Sequence, residues 1–178
     1  NHFISNDLPF KKLPAEYKDD FGKYYGSGPK RHEYVQEMYR EVLSKYDVMT
    51  LGEAGATQED AHNYVDEDRK ELNMIYHYEG VGLGYSPKGK KILDPKGWKL
   101  TEFKDVYTRW DKSFAEKGWN TVYLGNHDQP RIVTRWGNDS PEFRELSSKM
   151  LSTFLLTQRA TPYYYQGDEL GMTNIKFE

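Results

Sequence analysis

The sequence contains no cysteine, no long apolar run and no block of basic residues. Without cysteine, disulfide frameworks and thiolate metal sites are excluded, and we expect a reducing, cytoplasmic location. No run of 18 apolar residues is available for a membrane span. Lysine and arginine are scattered through a chain of formal net charge -3, which does not favour nucleic acid as a partner. The chain does not begin with methionine, so a signal peptide is neither indicated nor excluded.

The 178 residues are enough for one domain with a real core. Residues 1–31 are predicted to be an irregular loop, because turn residues punctuate them. Helical and strand-like patterns then alternate, which predicts an α/β fold with a parallel sheet. A long loop is predicted over 80–98, where a functional role is common. The predicted helices are 32–45, 58–65, 101–118 and one from 140 onward, and the predicted strands are 48–51, 72–79, 120–124 and 163–165.

Polar side chains lie at the carboxyl end of each of the four predicted strands, either in its last residues or just after it. Because the carboxyl ends of parallel strands meet on one face, we expect these side chains to form a site there. The four clusters are Glu53, then His77 with Glu79, then His127 with Asp128, then Asp168 with Glu169.

The number of strands limits the architecture. A closed (β/α)₈ TIM barrel needs eight strands and about 250 residues, whereas this chain supplies about four βα units. The pattern therefore predicts either a small open α/β domain or the C-terminal half of a TIM barrel.

Glu53 and Asp128 suit a mechanism that uses two carboxyl groups, as glycoside hydrolysis does. His127 is placed to donate to a sugar hydroxyl. The structural alternative is that Glu53 caps a helix and Asp128 ties down a loop. A metal site formed by these residues with His77 is not favoured, because no metal-ligand spacing is present. We therefore expect no metal and no cofactor.

Several motifs occur in order along the chain: Thr50–Ala54, Glu71–Glu79, Gly125–Arg131, Arg135–Asp139 and Thr161–Met172. Together they resemble strands 5 to 8 of the α-amylase superfamily, glycoside hydrolase family 13. Within that family, the similarity is greatest to oligo-1,6-glucosidases and α-glucosidases. The resemblance implies a single partial catalytic barrel domain over 1–178, with βα units over 32–178.

The resemblance implies a role for each matching residue. Glu53 would be the general acid/base. Asp128 would be the transition-state stabiliser that holds sugar hydroxyls, not the nucleophile. The implied substrate-binding residues are His127, Gln129, Arg131 and Glu79, with Gln129 and Arg131 toward the aglycone.

The resemblance also implies what the chain lacks. The family's nucleophile is an aspartate of strand 4 in an R-x-D context, expected a few residues before Asn1. We therefore expect this chain alone to be inactive. The missing half of the barrel would be its natural partner, and without that half the exposed strand edges favour self-association. Calcium remains possible in a full-length protein.

The implied reaction is retaining hydrolysis of short α-1,6- or α-1,4-linked glucosides, with an oligosaccharide or disaccharide as substrate and glucose released. One alternative is a sucrose isomerase or transglycosylase of the same superfamily. Those enzymes usually carry Asn-Pro where this chain has Gln129-Pro130, and an arginine-rich stretch at 79–83. A second alternative is a non-catalytic amylase-like binding domain. The presence of Glu53, His127 and Asp128 argues against that alternative.

Overall fold

The computed structural model describes residues 30–85, 94 and 97–175. The predicted loop over 1–31 and much of the predicted loop over 80–98 lie outside these residues. Short 3₁₀ turns occupy Leu43–Lys45 and Asp168–Leu170. The helices and strands are α1 (Arg31–Glu41), β1 (Leu51–Glu53), α2 (Gln58–Val65), β2 (Met74–Tyr76), α3 (Leu100–Ser113), β3 (Thr121–Val122), α4 (Ile132–Trp136), α5 (Arg144–Leu156) and β4 (Thr161–Pro162).

The strands pair in parallel, as the alternation predicts. β1 pairs with β2 and β3 pairs with β4, in two separate two-stranded sheets. Side chains connect β2 to β3 between the two sheets. The hydroxyl of Thr121 donates to the carbonyl of Ile75 at 2.8 Å, and that of Tyr123 donates to the carbonyl of His77 at 2.8 Å. The described part of the chain is therefore a partial (β/α) barrel.

The helices pack their apolar stripes against these strands. In α3, Phe103, Val106 and Trp110 form a buried apolar stripe, and Trp110 is 1% exposed. One core cluster lies between α3, β3, α4 and α5, and another lies between α2, β2 and α3. Among the described residues, no helix is long and apolar enough to cross a membrane.

The fourth strand is displaced from its prediction. β4 occupies Thr161–Pro162, two residues before the predicted 163–165. Pro162 has no N–H to donate, so the ladder runs through its neighbours. The backbone N–H of Thr161 donates to Asn120 and that of Tyr163 donates to Val122. The aromatic run after Pro162 indicated a strand at 163–165. The residues that pair with β3 are instead Thr161 and Pro162.

Other boundaries also differ from prediction. β1 occupies Leu51–Glu53 where 48–51 was predicted, and α3 ends at Ser113 where the predicted helix ran to 118. α1 ends at Glu41, four residues before the predicted end, and a 3₁₀ turn follows it. The last predicted helix begins at Arg144, because 140–143 form a turn in which the N–H groups of Phe143 and Arg144 both donate to Ser140. α4 lies between the predicted strand 120–124 and the helix predicted from 140 onward. It was missed, because five residues are too few to show helical periodicity.

His77 lies in the core rather than at the site face. It is 1% exposed, and its ring stacks on Trp110 with centroids 4.0 Å apart. Neither ring nitrogen has a hydrogen-bond partner among the described residues. Burial lowers the pKa of His77 to about 4, although the Glu79 carboxylate opposes the shift and Arg109 adds to it. Side chains alternate along a strand, so His77 points toward α3 while Tyr76 and Tyr78 point to the other side of the sheet.

This buried histidine predicts a pH dependence of stability. Its pKa is lower in the folded chain than in the unfolded chain, so only the unfolded state gains a proton as the pH falls from about 6.5 to about 4. We expect wild type to lose about 3 kcal/mol more than His77→Phe between pH 7 and pH 4. Urea denaturation at several pH values measures this. The exposed control His127→Phe should keep the wild-type slope, and an equal slope in His77→Phe would contradict the assignment.

Candidate active site

Glu53 and Tyr78 meet at the carboxyl ends of β1 and β2. Glu53 ends β1 opposite Tyr76, and the ring of Tyr78 lies 3.8 Å from where a Cβ on Gly55 would stand. The pKa of the Tyr78 phenol is raised to about 12, first by burial, then by Glu53 and last by the charge of Asp128. Both predicted catalytic carboxylates therefore raise the pKa of the same phenol.

His127 and Asp128 project from a turn directly after β3. The Asn126 side-chain oxygen accepts from the backbone N–H of Asp128 at 2.9 Å, and its carbonyl accepts from that of Gln129 at 3.2 Å. His127 Nε2 lies 3.4 Å from Asp128 Oδ2, and their side chains are 69% and 71% exposed. The turn thus holds a donor and a carboxylate side by side, accessible to a ligand.

Arg131 connects the segment after β3 to the segment after β4. Its Nη1 donates to the carbonyl of Gln166 and lies 3.6 Å from the Asp168 carboxylate. Its guanidinium carbon is 5.0 Å from the ring centroid of Tyr165. Burial raises the pKa of Asp168 despite this arginine. Arg131 therefore joins the two segments, and its implied substrate-binding role stays a prediction.

Glu79 faces the helices. Its carboxylate accepts from Arg109, from Trp110 Nε1 at 2.7 Å and from Gln58 Nε2 at 2.8 Å. Burial acts to raise the pKa of Glu79, but the hydrogen bonds from Arg109 and Trp110 outweigh it and lower the pKa. A substrate hydroxyl would share this carboxylate with three protein donors. The substrate-binding role implied for Glu79 stays a prediction, and its observed contacts join β2 to α2 and α3.

The alpha-amylase catalytic domain is the family whose sequence profile matches this chain, over residues 4–178. The chain belongs to the alpha-amylase family. An oligo-1,6-glucosidase from Parageobacillus thermoglucosidasius is 50% identical over 156 residues, covering 87% of this chain and 27% of that protein. An oligo-1,6-glucosidase from Heyndrickxia coagulans is 46% identical over 176 residues, covering 97% of this chain and 31% of that protein. The chain thus spans less than a third of the length of these relatives.

Solved structures of the alpha-amylase family match the fold. Isomaltulose synthase from Klebsiella sp. LX3 is 42% identical with a TM-score of 0.88, over 96% of this chain and 30% of that one. A mutant isomaltulose synthase from Erwinia rhapontici NX5 was solved with its natural substrate sucrose. It is 40% identical with a TM-score of 0.84, and the match covers 95% of this chain and 30% of that one. The fold class implied by the sequence is confirmed.

An R-x-D triplet does occur in this alpha-amylase domain, as Arg109-Trp110-Asp111. It lies within α3 on the outside of the strands, where Asp111 forms an ion pair with Arg159 at 3.0 Å. Asp111 is therefore not placed at a strand end, and it does not supply a nucleophile at the Glu53 face.

Two residues of this alpha-amylase site were missed from the sequence. Tyr78 lay between His77 and Glu79 in a predicted cluster, and strand alternation places it on the opposite side from His77. Arg135 was given no role of its own within its motif; it is 3% exposed and donates to Gln129 Oε1. Among the described residues, no group of three or more histidine, aspartate or glutamate side chains is arranged to hold a metal ion.

Proposed function

We propose that this chain supplies the acid/base and sugar-holding side of the active site of a retaining α-glucoside hydrolase. The observation that carries the proposal is that Glu53 ends β1 and Asp128 lies in the turn that follows β3, so both carboxylates lie beyond the carboxyl ends of parallel strands. The accessible pair of His127 and Asp128 adds a place for sugar hydroxyls. The oligo-1,6-glucosidases among its relatives support the reaction type.

The chemistry assigns separate tasks to these side chains. Glu53 protonates the glycosidic oxygen while the family's nucleophilic carboxylate attacks the anomeric carbon and displaces the leaving sugar. Glu53, now a carboxylate, then removes a proton from the water that hydrolyses the glycosyl intermediate. Asp128 accepts hydrogen bonds from sugar hydroxyls as positive charge develops on the ring, and His127 donates to a neighbouring oxygen. The nucleophile is expected outside this chain.

The proposed substrates are short α-1,6- or α-1,4-linked glucosides, with glucose as the product. The relatives support this range: beside the oligo-1,6-glucosidases stands an alpha-glucosidase from Pediococcus pentosaceus, 41% identical over 85% of this chain. The isomaltulose synthases favour sucrose isomerisation as a second candidate. Gln129-Pro130 and the absence of arginine from 79–83 favour hydrolysis over isomerisation.

A chimaera tests this proposal. In it, this chain replaces the matching 176-residue segment of the Heyndrickxia coagulans oligo-1,6-glucosidase. We expect the chimaera to hydrolyse isomaltose and to release the α-anomer of glucose first, observed by NMR, since two inversions retain configuration. The 178 residues alone should give no turnover of an aryl α-glucoside. Activity of the isolated chain would contradict the placement of the nucleophile, and formation of isomaltulose from sucrose by the chimaera would favour the second candidate.

A further inference from the structure

We propose that Arg135 is a positioning residue that joins the segment after β2 to the segment after β3 and orients Gln129 with its amide nitrogen toward the bound sugar. The inference deepens the proposed function and rests on it, because the sugar is the proposed ligand.

Arg135 makes contacts on both sides of the strand-end face. It lies on α4, and its guanidinium donates to the carbonyl of Val81, to that of Leu83 at 2.9 Å and to Gln129 Oε1 at 2.6 Å. Its guanidinium carbon also lies 5.3 Å from the ring centroid of Tyr85. Two of these hydrogen bonds go to the segment after β2 and one goes to the segment after β3. A single side chain therefore fixes the distance between the two segments.

Arg135 is a buried cation without a carboxylate beside it. It is 3% exposed, and no ion pair forms between it and any acidic residue in the described part of the chain. Burial lowers the pKa of Arg135, while the nearby Tyr85 opposes the shift. Carbonyl oxygens and the rings of Tyr85 and Trp136 take the place of a counter-ion. Burying a charge without a counter-ion costs free energy. The planar guanidinium group has several donors in a fixed geometry, so it can hold several acceptors in defined positions.

The direction of the Gln129 amide follows from the chemistry of its neighbours. A guanidinium has donors only, so the amide must turn its oxygen toward Arg135. The hydroxyl of Tyr85 donates to the same oxygen at 3.1 Å. Among the described residues, the Gln129 amide nitrogen donates to no protein acceptor. That nitrogen therefore keeps its N–H groups for a ligand, on the residue that follows Asp128 in the sequence.

An oriented amide nitrogen recognises an oxygen acceptor. Gln129 follows Asp128 directly, and the resemblance implies that it faces the leaving-group side. The proposed acceptor is a hydroxyl or ring oxygen of the leaving sugar. A substrate whose leaving group has no such oxygen gains nothing from this donor. The inference therefore predicts selectivity between sugar and non-sugar leaving groups.

Gln129→Glu tests the donor in the chimaera. Glutamate keeps the oxygen that accepts from Arg135 and Tyr85 but removes the N–H group. We expect the ratio of kcat/KM for isomaltose to kcat/KM for α-glucosyl fluoride to fall by at least about tenfold, since fluoride offers no sugar hydroxyl. The matched control is Gln158→Glu, which removes a donor at the end of α5, where Gln158 bonds to the carbonyl of Phe154. The control should keep the wild-type ratio.

Arg135→Lys tests the connection in the 178-residue chain itself. A lysine is a point donor and cannot serve three separate acceptors. We expect amide hydrogen exchange at Gly82 and Leu83 to become about tenfold faster, while exchange in α5 stays at the wild-type rate. If Arg135→Lys unfolds the whole chain, exchange rises in α5 as well. Tyr85→Phe then replaces it, because that variant leaves Arg135 in place and removes one of the two donors that hold Gln129 Oε1, so it should lower the isomaltose ratio less than Gln129→Glu does.

The outcomes separate the two proposals. A wild-type chimaera that cleaves neither isomaltose nor α-glucosyl fluoride overturns the proposed function, and the sugar-directed part of this inference with it. A chimaera that cleaves both, with a Gln129→Glu ratio within about twofold of wild type, overturns this inference alone. Unchanged exchange at Gly82 and Leu83 in Arg135→Lys also overturns it. A reduced ratio together with local loss of protection supports it.

Discussion

Replacing Glu53 with glutamine in the chimaera is expected to lower kcat for isomaltose by about 10³-fold, because positioned proton transfer contributes about that much to such reactions. The amide cannot protonate a leaving sugar oxygen, yet it keeps the size of the carboxyl group and can still meet the phenol of Tyr78. Steady-state kinetics with purified variants measures the loss. Glu67→Gln, an exposed change in the segment that follows α2, is the matched control and should behave as wild type.

The dependence on the leaving group separates a proton donor from a merely structural glutamate. α-Glucosyl fluoride needs little protonation, so Glu53→Gln should lose far less activity on it than on isomaltose. In Glu53→Ala, added azide should intercept the glycosyl intermediate and restore turnover, with α-glucosyl azide as the product. Equal losses on both substrates and no azide product would mean that Glu53 shapes the site without transferring a proton.

Glu71→Ala should reduce the free energy of unfolding by about 3 kcal/mol. Its side chain is 0% exposed and joins α1 to the segment before β2. The carboxylate accepts from His32 at 2.8 Å, Gln36 at 3.0 Å and Arg69 at 2.9 Å. Truncation leaves these donors unpaired, and because His32 and Arg69 are partly exposed, water limits the loss to the lower end of the range for buried pairs.

Urea denaturation followed by circular dichroism measures this loss. The exposed neighbour Glu67→Ala is the matched control, with an expected change within about 0.5 kcal/mol. Local hydrogen exchange adds a second test, since amides of α1 should lose protection before those of α3. A change below about 1 kcal/mol in Glu71→Ala would show that packing alone holds α1 in place.

The face that carries the site could be predicted because it follows from topology. Helix–strand alternation implies parallel strands, and parallel strands end on one face; Glu53 and Asp128 were found there for that reason alone. Their separate roles did not follow from topology. Both are carboxylates after strands, and a two-carboxylate argument treats them alike. Only the resemblance divides proton transfer from transition-state stabilisation, and that division remains a prediction.

Side-chain direction near the strand ends could not be predicted with the same success. His77 and Glu79 were grouped in one polar cluster, yet His77 is stacked on Trp110 in the core and Glu79 is held by donors from α2 and α3. The sequence shows that polar residues are present at the strand ends. It does not show which residues, distant in sequence, contact their side chains in the folded chain. The contacts of Arg135 were hidden for the same reason, since the carbonyl groups of Val81 and Leu83, which accept from it, are 54 and 52 residues away in sequence.

The contact between the two sheets has a consequence for how the barrel can be altered. Elsewhere, neighbouring strands are held by backbone groups, which every residue except proline provides and which point mutation leaves unchanged. Between β2 and β3, the two hydrogen bonds come from the hydroxyls of Thr121 and Tyr123. Each can be deleted by a nearly isosteric change, to valine or to phenylalanine. The contact between β2 and β3 can therefore be weakened by single side-chain substitutions that leave the backbone pairing within each sheet in place.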